Sequence, residues 1–135
     1  MMTTEDLESY FIRMGVEAEE MEEGMWLLPS GDGGTAVVVR YEPPLLLLRM
    51  KVMDLPGDAD DVRLALFYRR LLELNATDIV HGSYGIEGEE VILSHALELE
   101  TLDFEELRSS YESLTLAASS HMAGLAKLIP VAHEG

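Results

Sequence analysis

The sequence predicts an α+β domain in the order α-β-β-β-α-β-β-α, with a five-stranded antiparallel sheet packed by N- and C-terminal helices. Three observations carry this expectation. Segments rich in β-branched and alternating apolar residues are set between segments whose apolar residues recur at three and four. The strands come as a run of three and a run of two, separated by turn clusters, which is the pattern of a meandering sheet covered by helices. Neither an internal repeat nor a long linker divides the 135 residues, so one domain spanning 1–135 has enough chain for its own core.

The first helix opens at Thr3 or Thr4, either of which can cap it, and Glu5 and Asp6 lie near its positive end. Leu7, Tyr10, Phe11 and Met14 form its apolar face, and Gly15 is placed to end it. Residues 17–24 are acidic and read as a loop. A short strand at 25–28 is expected at a sheet edge. The turn cluster Pro29-Ser30-Gly31-Asp32-Gly33-Gly34 and a valine-rich strand at 35–41 follow it. Pro43-Pro44 interrupts the ladder, because proline has no N–H to donate. In the third strand, 45–53, Leu46, Leu48, Met50 and Val52 share an apolar face. Leu45, Leu47, Arg49, Lys51 and Met53 share a mixed one.

Leu55-Pro56-Gly57 turns the chain, and Asp58 or Asp60 caps a second helix running to about Asn75. Its apolar residues do not fit one narrow stripe, so it needs cover from more than one direction. A second copy of the chain is the expected cover, with Val62, Leu64, Leu66, Phe67 and Leu71 as the dimer interface. A hairpin of strands at 79–87 and 91–99 comes next. A two-residue turn at Gly88-Glu89 sets Ile86 opposite Val91, and glycine in its first position suits a type II′ turn. Asp103 caps the last helix, with Glu106 three residues on. Phe104, Leu107, Tyr111, Leu114, Ala118, His121, Leu125 and Leu128 line one face of that helix, and Pro130 stops it.

Composition excludes several kinds of chemistry. The net charge of −17 argues against nucleic acid and anionic membrane as partners, since both need a basic footprint. The absence of cysteine removes disulfides, thiolate catalysis and thiolate metal sites. The first six residues carry neither a basic nor an apolar signal region, and the run 45–48 is far too short to span a membrane, so a cytoplasmic location is expected.

No residue set assembles into an active site or a cofactor site, so no cofactor and no enzymatic activity are expected. In the hairpin register above, His81 and His95 point to opposite faces, which argues against a shared metal. Ser119-Ser120-His121 are neighbours on a helix and do not face one another. Asp58, Asp60 and Asp61 fail the calcium-loop spacing, because Arg63 and Arg69 stand where glycine and glutamate are needed. A ligand pocket between sheet and last helix would gather Tyr84, His95, Tyr111 and His121, but without convergent polar groups it reads as core. Among eight methionines, Met14, Met50 and Met122 fit core stripes, while Met21, Met25 and Met53 are candidates for an adaptable binding surface.

From 71 to 116 the chain resembles the type III secretion chaperone-like fold, which includes the YbjN-type proteins. The residues that carry the likeness are Leu71-Leu72-Glu73-Leu74-Asn75, Gly82-Ser83-Tyr84-Gly85-Ile86, Glu87-Gly88-Glu89-Glu90-Val91-Ile92-Leu93, Leu97-Glu98-Leu99-Glu100 and Leu102-Asp103-Phe104-Glu105-Glu106-Leu107. The resemblance implies a small acidic homodimer built through the second helix, binding extended apolar segments of client proteins. It also implies, as the alternative, a YbjN-type sensory or stress regulator acting through protein contacts. It assigns no client-binding residues.

Overall fold

A computed structural model of the chain describes residues 1–30 and 34–128. Among the described residues there are three helices: α1 (Thr4–Met14), α2 (Asp61–Thr77) and α3 (Phe104–Leu128). The strands are β1 (Glu19–Glu22), β2 (Met25–Leu28), β3 (Val37–Glu42), β4 (Leu45–Asp54), β5 (Ser83–Glu87) and β6 (Glu90–Glu98). They form one sheet in the order β1-β2-β3-β4-β6-β5, and every neighbouring pair is antiparallel.

The sheet therefore has six strands, not the expected five. The extra one is β1, in the acidic segment expected to be a loop. All four of its residues are exposed, so no in–out alternation marks it in the sequence. Pairing with β2 makes it a strand: Glu19 lies opposite Leu27 and Glu20 opposite Trp26. This is tertiary context overriding local preference. It also moves β2 from the edge to the interior.

Alternation holds on the longer strands. Along β4, Leu46, Leu48, Met50 and Val52 are buried, and the residues between them are half-buried. Trp26, Leu28, Val37, Val39, Val91, Leu93 and Leu97 join the same core. From the helices it receives Leu7 and Phe11 of α1, Phe67, Leu71 and Leu74 of α2, and Leu107, Tyr111, Leu114 and Leu125 of α3. The opposite face keeps Leu27, Val38, Leu47 and Ile92 only half-buried, with Met25 and Met53 among them and Arg49 and Lys51 between them. Met122 is exposed, contrary to its expected place in a core stripe. Arg49 pairs with Glu87, and Lys51 with Asp54 at 2.8 Å.

The capping signals act as their chemistry dictates. The Thr3 hydroxyl accepts from the Asp6 N–H, and the Asp6 carboxylate accepts from the Thr3 N–H, closing a capping box. Asp60 caps α2 through the Arg63 N–H at 2.8 Å, and Asp103 takes the Glu106 N–H at 2.7 Å. The α1 and α3 ends are joined by an edge-to-face contact of Tyr10 on Phe104 at 5.5 Å, with the Arg13 guanidinium 3.9 Å from the Phe104 ring centre. Pro130, expected to stop α3, and His133 lie outside the described residues, as do residues 31–33 of the turn cluster.

The hairpin keeps its expected register, with Ile86 opposite Val91 and Tyr84 opposite Leu93. Gly88 has φ 59 and Glu89 has no positive φ, which is the type II′ pattern. The strand nevertheless starts at Ser83, four residues later than expected. Gly82 has φ 84, a left-handed turn that takes the preceding residues out of the ladder. That turn overturns the placement of His81, as described below.

Candidate protein interfaces

Helix α2 is apolar on two sides, and the structure separates them. Phe67 (0 % exposed) and Leu71 (5 %) point into the chain's own core, and Leu64 is half-buried beside them. Val62 (70 %) and Leu66 (54 %) point outward, with Leu72 exposed near them. The five residues expected at a dimer interface thus divide into an outward pair, an intermediate residue and two core anchors. Three of the nine cationic residues of the chain, Arg63, Arg69 and Arg70, are also on α2. Glu73 lies 3.5 Å from Arg69 and 3.7 Å from Arg70. With Asp61 and Glu73 as its only carboxylates, α2 carries more positive than negative charge in a strongly acidic chain.

The two sheet edges are unlike. At β5, the Tyr84 N–H donates to Asn75 Oδ1 at 2.7 Å, and Asn75 Nδ2 donates to the Tyr84 carbonyl at 3.3 Å. The amide side chain thus occupies the outward backbone groups of Tyr84 that another strand would use, which obstructs this edge at its start. The β1 edge is exposed and studded with Glu19, Glu20 and Glu22. Like charges there discourage pairing with a second copy of the same edge. Beside it lies a groove of about 410 Å³, lined by Phe11, Ile12, Val16, Ala18 and Trp26 and rimmed by Glu8, Glu17 and Glu20. Ile12 is 78 % exposed, and the buried Trp26 indole N–H has no acceptor among the described residues. Sequence reasoning missed this groove. Its signal was Ile12, an apolar residue off the helix stripe and close to Val16.

The histidines meet a different arrangement from the one expected. His81 and His95 do not face apart: their ring centres are 5.6 Å apart, because the turn at Gly82 folds His81 back toward β6. His81 Nδ1 is 2.9 Å from Ser113 Oγ on α3. His121 Nδ1 is 2.7 Å from the Tyr84 hydroxyl, and its Nε2 is 3.3 Å from Asp78. The arrangement satisfying both is Nε2–H donating to Asp78 and the Tyr84 O–H donating to Nδ1. It ties the end of α2, strand β5 and helix α3 together. Burial, with the Asp78 charge second, pushes the Tyr84 phenol well above its ordinary value, so it stays a neutral donor. Ser119 bonds its own helix, at the Leu116 carbonyl, and the Tyr111 hydroxyl donates to the Pro29 carbonyl. Three residues of the expected ligand pocket, Tyr84, Tyr111 and His121, are thus engaged in structural bonds, and His95 meets only the edge-to-face contact with His81. No group of three or more metal-binding side chains occurs among the described residues, and no described helix is long and apolar enough to cross a membrane.

Burial, and secondarily the neighbouring His81, pushes the His95 imidazole below its ordinary value. A base with a depressed folded pKa favours folding while neutral. Its contribution is present above the unfolded value of about 6.5 and is lost as pH falls through the folded one. Urea unfolding at pH 7 and pH 5 should therefore show a smaller loss of stability for His95→Gln than for the parent chain. An unchanged difference between the two pH values would remove His95 from the acid response.

Comparison with known proteins decides among families. The family model CesT_Tir_1, which describes type III secretion chaperones, matches residues 1–130. The chain belongs to this family. Among solved structures, the YbjN protein of E. coli superposes with a TM-score of 0.70 at 11% identity, covering 91% of this chain and 93% of that one. A chain of the ExoU–SpcU complex from the type III secretion system of Pseudomonas aeruginosa gives 0.65 at 12% identity, covering 87% and 94%. The HopA1–SchA chaperone–effector complex gives 0.63 at 12% identity, covering 87% and 90%. A search of curated protein sequences returns no match. The CesT_Tir_1 match takes in α1, β1 and α2 together, so the groove, the open edge and the outward helix face all lie within the family domain.

Proposed function

We propose that this chain is a non-enzymatic, cytoplasmic, dimeric protein-binding module that holds extended client segments. The observation that carries the reading is the asymmetry of the sheet: β5 is obstructed at Tyr84 by Asn75, while β1 stands open beside an apolar groove. An extended segment added to β1 gains main-chain hydrogen bonds from the edge, and its alternate side chains reach the groove. Glu8, Glu17 and Glu20 at the rim favour basic residues between the apolar ones. The HopA1–SchA chaperone–effector complex among the structural relatives supports a protein client. The outward face of α2, with Val62 and Leu66, is the proposed contact between two copies, and its excess of arginines lessens the repulsion between acidic chains.

Trp26 is the chain's only tryptophan and lines the groove, so its fluorescence reports occupancy directly. A short peptide alternating leucine and lysine should change that signal on titration, and a leucine–glutamate peptide should not. Glu17→Lys combined with Glu20→Lys should weaken the basic peptide about tenfold, roughly 1.4 kcal/mol, while Glu100→Lys leaves it unchanged. Equal binding of both peptides would overturn the charge preference, and no binding of either would overturn the seat itself.

A second reading, a YbjN-type regulator acting through protein contacts, is supported by the superposition on YbjN. Affinity capture from the native cell separates the two: one abundant exported client favours the chaperone, and signalling proteins favour the regulator.

A further inference from the structure

Three of the chain's four histidines gather where the 78–82 connection passes between β6 and α3. His121 is fully engaged by Tyr84 and Asp78. The other two face each other, and nothing in the protein-binding function uses them. We propose that His81 and His95 together hold one borderline divalent ion of the zinc, nickel or copper class, with water completing the coordination.

The geometry suits this. Two imidazoles bound tetrahedrally at ~2.0–2.1 Å have ring centres about 5 Å apart; here they are 5.6 Å apart in an edge-to-face contact with the ring planes at 74°, so a ring rotation brings both nitrogens onto one ion. Ser113 Oγ, 2.9 Å from His81 Nδ1, can accept the Nδ1 proton and so leave the Nε2 lone pair free. A hydrogen bond to the far nitrogen is the usual way a ligating histidine is oriented. His95 lines a surface cavity of about 440 Å³ together with Gly82, Ser83, Ser94 and Arg49, and His81 lines a separate one of about 270 Å³ beside Ser113, so each ring is reached from solvent through its own cavity. The Arg49 charge is matched by Glu87, and the chain's net charge of −17 draws cations to its surface. With imidazole ligands and no carboxylate in the pair, the site selects zinc, nickel and copper over magnesium and calcium. A bound ion would pin the 78–82 connection to β6, because the ligands come one from each.

The test uses the full chain, with any affinity tag removed, and Cu2+ and Zn2+ as probes. Copper EPR should show one equivalent bound with hyperfine structure from two imidazole nitrogens. Zn2+ should raise the melting temperature. Both effects should disappear in His81→Asn and in His95→Asn, and persist in His121→Asn and His133→Asn. Binding should weaken in acid, because protons compete with the ion for its ligand nitrogens. Copper retained in either His81→Asn or His95→Asn, lost in His133→Asn, or absent from the parent chain would overturn the proposal. His81 lies outside the regular strand, so His81→Asn carries the test even if His95→Asn does not fold.

Discussion

Gly82→Ala is expected to lower the unfolding free energy by about 2–5 kcal/mol, from the strain of a left-handed residue plus an overpacked contact. Its φ is +84, which L side chains rarely adopt, and an added Cβ would stand 2.4 Å from the Ser94 carbonyl oxygen. That oxygen belongs to the β6 backbone, so it cannot swing aside as the end of a flexible side chain can. Further neighbours, the His95 Cβ at 3.1 Å and a Leu114 methyl at 3.2 Å, close the other directions. Gly88 is the control. It also has positive φ, but nothing lies within 4 Å of its added Cβ, so Gly88→Ala should cost only about 1–2 kcal/mol of turn strain. Urea titrations of both variants check the contrast. Equal losses would mean that backbone strain alone, without the Ser94 contact, sets the cost.

Leu71→Asp is expected to unfold the chain, whereas Leu66→Asp should leave a folded monomer. The two residues are on the same helix and differ by about half of the helix circumference. Leu71 is in the core beside Phe67 and Leu74, so an aspartate there buries an unpaired carboxylate at a cost of several kcal/mol. Leu66 faces outward, where the same charge costs the isolated protomer little and disrupts only an apolar contact with a second copy. Circular dichroism should separate the variants first, and sedimentation should then show Leu66→Asp at half the parent mass. A parent chain that sediments as a monomer, or a Leu66→Asp variant at the parent mass, would falsify the α2 interface.

Local chemistry made most of the fold legible. Thr3, Asp60 and Asp103 are placed where a side-chain oxygen meets a free helix N–H, and each acts as a cap. The Ile86–Val91 register followed from a two-residue loop and a period of two. What could not be read arises from contacts distant in sequence or from one backbone angle. Strand β1 is four exposed residues, and only the backbone of β2 defines it. His81 was placed by extending a strand pattern through Gly82, whose positive φ reverses the chain and brings the ring beside His95. The apolar excess of α2 was visible, but its division into core and outward sides depends on where β5 and α3 lie. The groove at Trp26 joins residues from α1, the following connection and two strands, and no single segment displays it.

The Asn75 amide sets a limit on how this protein can assemble. A sheet with two receptive edges can link copies head to tail, each donating one edge to the next, and such a contact propagates into a fibre unless its rotation closes a ring. Here one terminus of that chain reaction is already occupied by a side chain of the same molecule. Strand addition is then obstructed at Tyr84, so on the proposed reading it is favoured at β1 alone. On that reading each protomer takes its guest strand at β1, and a crowded solution of sticky, half-folded guests meets no equally receptive second edge through which to polymerise it.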